Sequence, residues 1–463
     1  MSDRLILGEG IEFNTDSSKT HINNNICIVG TTGGGKTLNL IQPELLYETN
    51  KNKIISDPKR ELVGKYGYYY KKLGYNVIEL NISNPDLSDV CFDFMHYIDS
   101  HKDVNMLSRA IVDLTPQRPN SSADSYWENS SCNVVKFAIY YQLTLGDNPG
   151  LIDVVDFIDN LEIDERSSLM STSVDYMVNE VKESNPNHPM LAPYNSFKTA
   201  PIKTAGSIFT TIKTTLSNVF SENVKEVFKT KETLDLDKFT KEKSILFITA
   251  DGSDEYEDAL INLIFDMLIQ QLTKIADEEP DKKLPIPVHI IFDDFAAGTK
   301  ISLFPKQISK FRSKGMSSTI VLQSESQLVG LYGEADAKTI INNNDTLIYL
   351  GGNDVTTASD IAIRLNKPVE SVLYMPLDEL YIFRRGTKPI VAKKYKTLED
   401  ERFIKLTNDY RKHLNKHKHE NKFKKVLTAC EIESKETIGE DETLSHELED
   451  KFDELFGFIP ESA

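Results

Sequence analysis

The stretch Gly30-Thr31-Thr32-Gly33-Gly34-Gly35-Lys36-Thr37 decides the fold class of this 463-residue chain. It matches the pattern GxxxxGK[ST], whose glycines let backbone amides surround phosphate oxygens at the start of a helix. Residues 25–29 before it have the composition of a strand, and residues 38–47 after it have a helical pattern. We therefore expect these eight residues to bind a nucleoside triphosphate. Lys36 would reach the β- and γ-phosphates, and Thr37 would hold Mg²⁺.

Short β-branched runs with turn-like ends predict further strands along the chain. The predicted strands cover residues 25–30, 53–57, 75–82, 244–251, 287–293, 318–323, 346–351, 380–385 and 389–394. Helical patterns separate most of them, which indicates βαβ units around a parallel sheet. The last two runs, joined by residues 386–388, indicate an antiparallel hairpin at an edge. The predicted fold is therefore α/β with a mostly parallel sheet.

Apolar residues recur at helical spacing between residues 100 and 201, where strand-like runs are missing from the sequence. We therefore predict an all-helical insertion. The predicted domains are a nucleotide-binding domain in two parts, residues 1–99 and 203–398, the insertion at residues 100–202, and a charged tail at residues 399–463.

Two acidic residues follow the apolar run at residues 288–292. A nucleoside triphosphatase needs a carboxylate at the end of a buried strand to hold Mg²⁺, and Asp293 is placed for that role. Asp294 would orient or deprotonate the attacking water. Acid pairs at strand ends also act as helix caps, which is the alternative. Asp57 ends another strand, where it would either shape the site or form a turn with Pro58.

Composition excludes several protein classes. Forty per cent of the residues are apolar, enough for a sizeable core, and no uncharged apolar run is long enough to span a membrane. The first residues lack the apolar stretch of a signal peptide. The four cysteines are far apart, without metal-ligand spacing, so we predict neither a disulfide nor a zinc site. We expect a cytoplasmic protein.

The net charge of −18 is unevenly distributed. Residues 393–425 contain twelve Lys or Arg against five Asp or Glu, whereas residues 431–463 contain two Lys against twelve acidic residues. The basic segment could contact nucleic acid phosphates, and the acidic one a basic partner. Apolar residues at helical spacing in the tail predict either a docking helix or a helix that packs on its own domain; these are Leu444, Leu448, Phe452, Leu455 and Phe456.

Several stretches together resemble the coupling-protein ATPases of type IV secretion and conjugation, the TraG/TraD-like family. They are NNNICIVGTTGGGKT, SDPKRELVGKYGYYYKKLGYNVIELN, FDFMHYI, SYWENS, IIFDDFAAG, ISKFRSKGMSSTIVLQSESQLVGLYG, INNNDTLIYLGGND and MPLDELYIFRRGTKPIVAKKYK. They run in the family's order over about four-fifths of the chain. The phosphate loop alone is generic, whereas the Asp-Pro-Lys, Gln323 and Leu-Gly-Gly segments are specific.

The resemblance implies a ring-forming motor, a hexamer in the assembled state, with a RecA-like domain and an inserted all-α domain. Such a motor uses ATP and Mg²⁺, receives a relaxase–DNA complex and passes it to a secretion channel. By position, Gln323 would sense the γ-phosphate, and Arg312 would be an arginine finger supplied across a subunit boundary. A plain surface role for Arg312 is the alternative. The competitors for the finger are Arg364, Arg384 and Arg385.

Two features depart from the family pattern. Asp294 stands where the family usually has the longer glutamate, so basal turnover is expected to be weak. Most relatives begin with membrane-spanning helices, whereas here the nucleotide domain starts almost at Met1. Anchoring by a separate membrane protein, a soluble version of the family and a trimmed sequence are the three explanations.

Contact with DNA is expected through phosphates, because no base-reading helix or zinc finger is recognisable. The candidate channel residues are Lys306, Lys310, Lys314 and the turn Arg384-Arg385-Gly386-Thr387-Lys388. The leading hypothesis is an ATP-driven coupling protein at the cytoplasmic face of the membrane, as a ring or as a monomer when isolated. The alternatives are a nucleotide-gated recruitment adaptor with negligible hydrolysis and an FtsK-like DNA translocase outside secretion.

Overall fold

The structure is a computed structural model that describes residues 4–114, 124–146, 148–164, 171–250, 255–295 and 300–416. The chain divides into two compact units, Met1–Phe403 and Ile404–Ala463. The second unit is described as far as residue 416, and its residues 404–416 are helical. The predicted docking helix in the acidic tail lies outside the described residues.

Strands and helices alternate through most of the first unit. The strands are β1 (Arg4–Gly8), β2 (Ile11–Asn14), β3 (Ile26–Val29), β4 (Asn52–Ser56), β5 (Asn76–Asn81), β6 (Ile163–Asp164), β7 (Ser171–Thr172), β8 (Ser244–Thr249), β9 (Val288–Phe292), β10 (Met316–Leu322), β11 (Thr346–Tyr349), β12 (Glu379–Arg384) and β13 (Ile390–Lys393).

The helices follow the same order along the chain. They are α1 (Ser17–Thr20), α2 (Gln42–Tyr47), α3 (Val63–Lys72), α4 (His101–Asp113), α5 (Asp124–Leu145), α6 (Leu151–Asn160), α7 (Asp175–Ser184), α8 (Leu191–Lys198), α9 (Ile202–Val219), α10 (Glu222–Thr230), α11 (Leu236–Lys241), α12 (Glu255–Glu278), α13 (Phe304–Gln307), α14 (Phe311–Lys314), α15 (Glu325–Tyr332), α16 (Glu334–Asn342), α17 (Val355–Leu365) and α18 (Val369–Leu373). Single 3₁₀ turns lie at Phe94–Tyr97, Ile308–Lys310 and Thr397–Glu399.

The main sheet has nine strands in the order β13-β12-β11-β3-β10-β9-β4-β8-β5. The pairs from β11 to β5 are parallel, and β12 pairs antiparallel with both β11 and β13. Each of the nine predicted strands lies in this sheet, with ends shifted by one or two residues. The predicted fold class and edge hairpin are thus confirmed.

Burial explains why these strands were recognisable. Strands β3, β4, β8, β9, β10 and β11 are buried along their whole length. Strands of a parallel sheet covered on both faces read as continuous apolar runs, whereas the edge strand β13 alternates between half-buried and exposed residues. Sequence patterns therefore located the central strands most directly.

In the described residues, helices α4 to α11 lie between β5 and β8, a longer segment than the predicted residues 100–202, and they share one hydrophobic cluster with the sheet. One detail corrects the expectation of an all-helical insertion. A two-residue antiparallel ribbon, β6 with β7, interrupts the helices. The sequence also missed the hairpin of β1 and β2. The two-residue strands β6 and β7 carry too few residues for a periodic signal.

The chain enters and leaves the helical insertion through a narrow neck. Cys91 and Thr233 form an isolated parallel bridge. The Cys91 N–H donates to the Glu232 carbonyl at 2.9 Å, and the Leu234 N–H donates to the Cys91 carbonyl at 2.9 Å. Residues about 140 positions apart are thus hydrogen-bonded neighbours.

One helix of the described chain, Tyr256–Glu278 within α12, is long and apolar enough to cross a membrane. Seventy-eight per cent of its most apolar window is buried inside the protein. That burial is what the core helix of a globular protein also shows.

Candidate nucleotide-binding site

Four adjacent parallel strands end at one edge of the sheet and build the site. Strand β3 leads into the phosphate loop, β10 ends before Gln323, β9 ends before Asp293, and β4 ends before Asp57. Ligands of open α/β sheets bind outside the carboxyl ends of the strands. A cavity of about 350 Å³ lies here, lined by Thr32, Gly33, Gly34, Gly35, Lys36, Thr37, Leu38, Ser56, Asp57, Pro58, Lys59, Glu61, Leu62, Asp293, Asp294 and Gln323.

The phosphate loop is held by backbone bonds to the neighbouring strands. The Gly30 N–H donates to the Leu322 carbonyl at 3.1 Å, and the Thr31 N–H donates to the Gly351 carbonyl at 3.2 Å. Within the loop, Gly33 and Gly35 have φ values of 76° and 83°, which glycine adopts without a steric penalty. The backbone shape of the loop therefore favours glycine at positions 33 and 35.

Lys36 points back across the loop that precedes it. Its Nζ donates to the carbonyls of Gly30 at 2.7 Å and Thr31 at 3.0 Å. Burial lowers the pKa of Lys36, whereas the carboxylates of Asp294 and Asp293 act in the opposite direction. A half-buried ammonium that lines a phosphate-sized cavity fits the role predicted for it.

Thr37 and Asp293, the two predicted Mg²⁺ ligands, meet directly. The Thr37 hydroxyl donates to the Asp293 carboxylate at 2.7 Å. Burial raises the pKa of Asp293, the Thr37 hydrogen bond lowers it, and the charge of Asp294 raises it again. Oxygen atoms of a hydroxyl and a carboxylate are the ligands that Mg²⁺ prefers, so this donor set fits the ion.

Asp294 is exposed on the cavity wall, in an unusual backbone conformation. Its φ of 76° lies in the left-handed region. Aspartate and asparagine tolerate this region better than other residues with a Cβ atom. The carboxylate is therefore presented toward the cavity from a turn that follows β9, and it does not cap a helix in the described part of the chain.

Gln323 lines the cavity as predicted, because β10 lies between the strands that carry the phosphate loop and Asp293. Arg312 is not brought to this cavity. Its side chain lies exposed on α14 and makes no hydrogen bond or ion pair with the described part of the chain, whereas its backbone carbonyl accepts the Gly315 N–H at the end of that helix. Within the described residues, Arg312 therefore does not contribute to this cavity.

The competing arginines are engaged within the chain. Arg364 lies 3.9 Å from Glu325, and Arg385 lies 3.2 Å from Asp345. The Arg384 guanidinium stacks over the Phe13 ring at 4.0 Å and is nearly buried.

The candidate DNA-contacting residues differ in exposure. Lys306, Lys310 and Lys388 are exposed, whereas Lys314 is mostly buried and paired with Asp277. Arg384 is also nearly buried, so two of the predicted channel residues do not present a free cation on the surface. Their tertiary partners could not be read from the sequence.

Asp57 both lines the cavity and organises the turn after β4. Its carboxylate accepts the N–H groups of Glu61, Leu62 and Val63 at 2.8–2.9 Å. Burial raises the pKa of Asp57 to about 6, against these hydrogen bonds. The turn-forming interpretation is thus supported. The sequence did not single out Lys59 and Glu61, which line the same wall.

The helix after the phosphate loop begins with a π-helical turn, Thr37–Ile41, before α2. Two side chains from beyond β13 contact this region. Lys394 donates to the Gly34 carbonyl at 2.9 Å, and Thr397 donates to the Leu38 carbonyl at 2.6 Å. The sequence analysis did not predict either contact, because about 360 residues separate the partners and no local sequence pattern indicates such a long-range hydrogen bond.

The sequence matches the family model for type IV secretory system conjugative DNA transfer over residues 3–369, about four-fifths of the chain. This chain belongs to that family. The resemblance read from the sequence is therefore confirmed.

Solved structures of conjugative coupling proteins share the fold. Unbound TrwBdeltaN70, a bacterial conjugative coupling protein, aligns with a TM-score of 0.61 at 16% identity, covering 84% of this chain and 87% of that one. The plasmid coupling protein TrwB in complex with ADP and Mg²⁺ gives 0.61 at 16% identity, covering 85% and 89%. TrwB with the ATP analogue ADPNP gives the same values. At this identity the likeness concerns the fold. No curated protein matches the sequence.

Proposed function

We propose that this protein is an ATP-driven coupling protein of a conjugative type IV secretion system. It recruits a relaxase–DNA complex and delivers it to the transfer channel. The proposal is supported by the family membership and by one observation above all. The phosphate loop, Asp293, Asp294 and Gln323 line one cavity at the ends of three neighbouring strands.

ATP and Mg²⁺ are the proposed cofactors. The amides of residues 33–37 and the Lys36 ammonium bind phosphate oxygens, while Thr37 and Asp293 hold the cation. Mg²⁺, when bound, neutralises charge on the β- and γ-phosphates. Asp294 orients the attacking water, and Gln323 responds to the γ-phosphate from the end of β10. TrwB in complexes with ADP, Mg²⁺ and ADPNP supports this choice of cofactors.

Assembly into a hexameric ring is part of the proposal. Arg312 reaches the site of a neighbouring subunit, which explains why it is exposed and unpaired in the described part of its own chain. Lys306, Lys310 and Lys388 contact DNA phosphates, so affinity for DNA falls steeply with salt. The ring works at the cytoplasmic face of the cell membrane, next to the secretion channel or a separate anchor protein.

Steady-state ATP hydrolysis tests the motor function. We expect turnover in Mg²⁺ that rises with DNA and with assembly, and that falls at least about 100-fold in Lys36→Ala because phosphate binding is lost. Lys338→Ala is the matched control, since Lys338 is an exposed lysine paired with Glu334 and does not line the cavity. Equal turnover in Lys36→Ala and wild type would reject this site.

A recruitment adaptor with negligible hydrolysis is the second candidate, and Asp294 favours it. Its carboxylate is one methylene shorter than glutamate and sits on a left-handed backbone. Tight ATP binding by a monomer, without turnover in the presence of DNA, would select the adaptor.

A further inference from the structure

The segment that follows β13 donates two side-chain hydrogen bonds to backbone carbonyls of the phosphate loop and the helical turn after it. Lys394 Nζ donates to the Gly34 carbonyl at 2.9 Å, and Thr397 Oγ1 donates to the Leu38 carbonyl at 2.6 Å. Thr397 is buried and Lys394 is half-buried. Neither residue lines the nucleotide cavity, so both contact the backbone of this region from outside the cavity.

The bonded carbonyl belongs to a peptide unit whose N–H is that of Gly35. In a trans peptide the C=O and N–H groups point in opposite directions. A donor that holds the Gly34 carbonyl outward therefore turns the Gly35 N–H inward, toward the cavity. Inward-facing amides are what a phosphate loop uses to bind its ligand.

This peptide unit needs an external support. It lies between two glycines, and Gly33 and Gly35 on either side of Gly34 both have positive φ. Glycine populates both signs of φ at similar cost, so the local sequence does not by itself select the orientation of the peptide plane. An ammonium donor selects it strongly, because charge-assisted hydrogen bonds are about twice as strong as neutral ones.

Lys394 is itself held in place by the edge hairpin. Its N–H donates to the Asp378 carbonyl at 2.7 Å, immediately after β13. The neighbouring Lys393 is exposed and pairs instead with the Asp378 carboxylate at 3.1 Å. The two lysines therefore share a strand end, but one of them contacts the phosphate loop and the other does not.

We propose that Lys394 is a positioning residue for nucleotide binding. It orients the Gly35 N–H toward the phosphates, and it couples the stability of the β12–β13 hairpin to nucleotide binding. The inference rests on the proposed function, because it takes a nucleotide phosphate as the ligand of the cavity. Coupling of this kind is reciprocal. If the Lys394 contact increases the affinity for the nucleotide by some factor, bound nucleotide must increase the equilibrium constant for forming that contact at the end of β13 by the same factor.

Calorimetric titration with MgADP tests the positioning role. Lys394→Met keeps the aliphatic stem but removes the donor, and we expect its Kd to rise about 10-fold. Lys394→Arg restores a donor, so its Kd should stay within about threefold of wild type. Lys393→Ala, the matched control, should stay within about twofold. In turnover the KM for ATP should rise in Lys394→Met while kcat at saturation stays near the wild-type value.

Two results would overturn the proposal. One is wild-type MgADP affinity in Lys394→Met. The other is an equal loss in Lys394→Met and Lys394→Arg together with a lowered melting temperature of the nucleotide-free protein, which would mean general structural support.

The proposed function fails separately. If wild type binds MgADP but hydrolyses no ATP in any assembled state, the motor is rejected, while weak binding by Lys394→Met still upholds the positioning role. If wild type binds no MgADP, both are rejected.

Hydrogen exchange of the wild-type protein gives an independent test that needs no folded variant. MgADP should slow amide exchange at residues 390–394, as well as in the phosphate loop. The amides of α16, on another part of the fold, serve as the internal reference. Unchanged exchange at residues 390–394 in protein saturated with MgADP would contradict the coupling.

Discussion

Asp294 combines a carboxylate on the cavity wall with a backbone that few side chains adopt. At a φ of 76° most residues with a Cβ atom cost roughly 1–2 kcal/mol, whereas Asp and Asn form local hydrogen bonds that reduce the cost. An aspartate at this position is thus matched to its turn. Asp294 thus affects stability through its backbone conformation and hydrolysis through its carboxylate, and different substitutions can separate these two effects.

Asp294→Asn should remove the negatively charged carboxylate while preserving the left-handed backbone conformation of the turn. We expect DNA-stimulated turnover to fall at least about 100-fold, because the water loses its carboxylate partner. The free energy of unfolding should stay within about 0.5 kcal/mol of wild type. Asp294→Ala should lose the same activity and about 1 kcal/mol of stability in addition. Steady-state turnover and urea denaturation measure both, and wild-type turnover by Asp294→Asn would contradict the assignment.

Local motifs could place the site residues because each lies within a few residues of a recognisable strand. The phosphate loop, Asp293 and Gln323 all follow β-branched runs, and the sheet then brings their ends together. Tertiary contacts could not be predicted in this way. The Lys394–Gly34 bond, the burial of Arg384 and the φ of Asp294 depend on segments far apart or on a local turn without a sequence signature.

At the scale of secondary-structure elements, the segment at Ser302 is hydrogen-bonded both to a buried carboxylate on α12, the helix after β8, and to α4 of the helical insertion. Asp266 on α12 accepts the N–H groups of Ser302 at 2.7 Å and Leu303 at 2.9 Å. The Ser302 hydroxyl donates to Asp113 on α4 at 2.9 Å. Burial raises the pKa of Asp266 to about 7, against these two backbone hydrogen bonds. Helices α4 and α12 are thus both hydrogen-bonded to the segment at residues 302–303, which follows β9 and Asp294 in the chain. The group on α12, Asp266, is a carboxylate that binds a proton more tightly than an exposed aspartate does.

The raised pKa of Asp266 leads us to expect that the free energy of unfolding depends on pH. Because its folded pKa of about 7 exceeds the ordinary value of 3.8, the folded state binds the proton more tightly. Its contribution is complete below pH 3.8 and is lost as the pH rises toward 7. Asp266→Asn should therefore flatten the fall in unfolding free energy across this window, by up to about 1.4 kcal/mol per pH unit.

Urea denaturation at several pH values from 4 to 8 measures the slope. Asp237→Asn, at an exposed residue on α11, is the control and should follow the wild-type curve. A wild-type slope in Asp266→Asn would show that Asp266 does not titrate in this range.

At the scale of the whole molecule, the arrangement of charge favours an assembly. The chain carries a net charge of −18, yet Arg312 is exposed close to the exposed lysines Lys306 and Lys310. A ring can collect such cations on inner and intersubunit surfaces while acidic residues face solvent. The proposed site is then completed only when a neighbouring subunit supplies its arginine.

Complementation tests whether Arg312 acts across a boundary. Arg312→Ala has an intact phosphate loop, and Lys36→Ala has an intact arginine, so each homogeneous variant should be inactive. In mixed rings an Arg312→Ala site receives arginine from a Lys36→Ala neighbour, and an equal mixture should recover up to roughly a quarter of wild-type turnover. Mixing Arg312→Ala with the double variant Arg312→Ala/Lys36→Ala is the control. Recovery that never exceeds this control would reject action in trans.

The narrow neck at Cys91 and Thr233 bears on how such proteins diverge. For a flexible loop, the entropy of closure grows with the logarithm of loop length, so doubling such a loop within the segment closed at this neck costs about 0.6 kcal/mol. Residues added to an exposed loop of the insertion would therefore cost little closure entropy and leave the register of β5 against β8 unchanged, whereas the helices that share the hydrophobic cluster with the sheet are constrained by their packing.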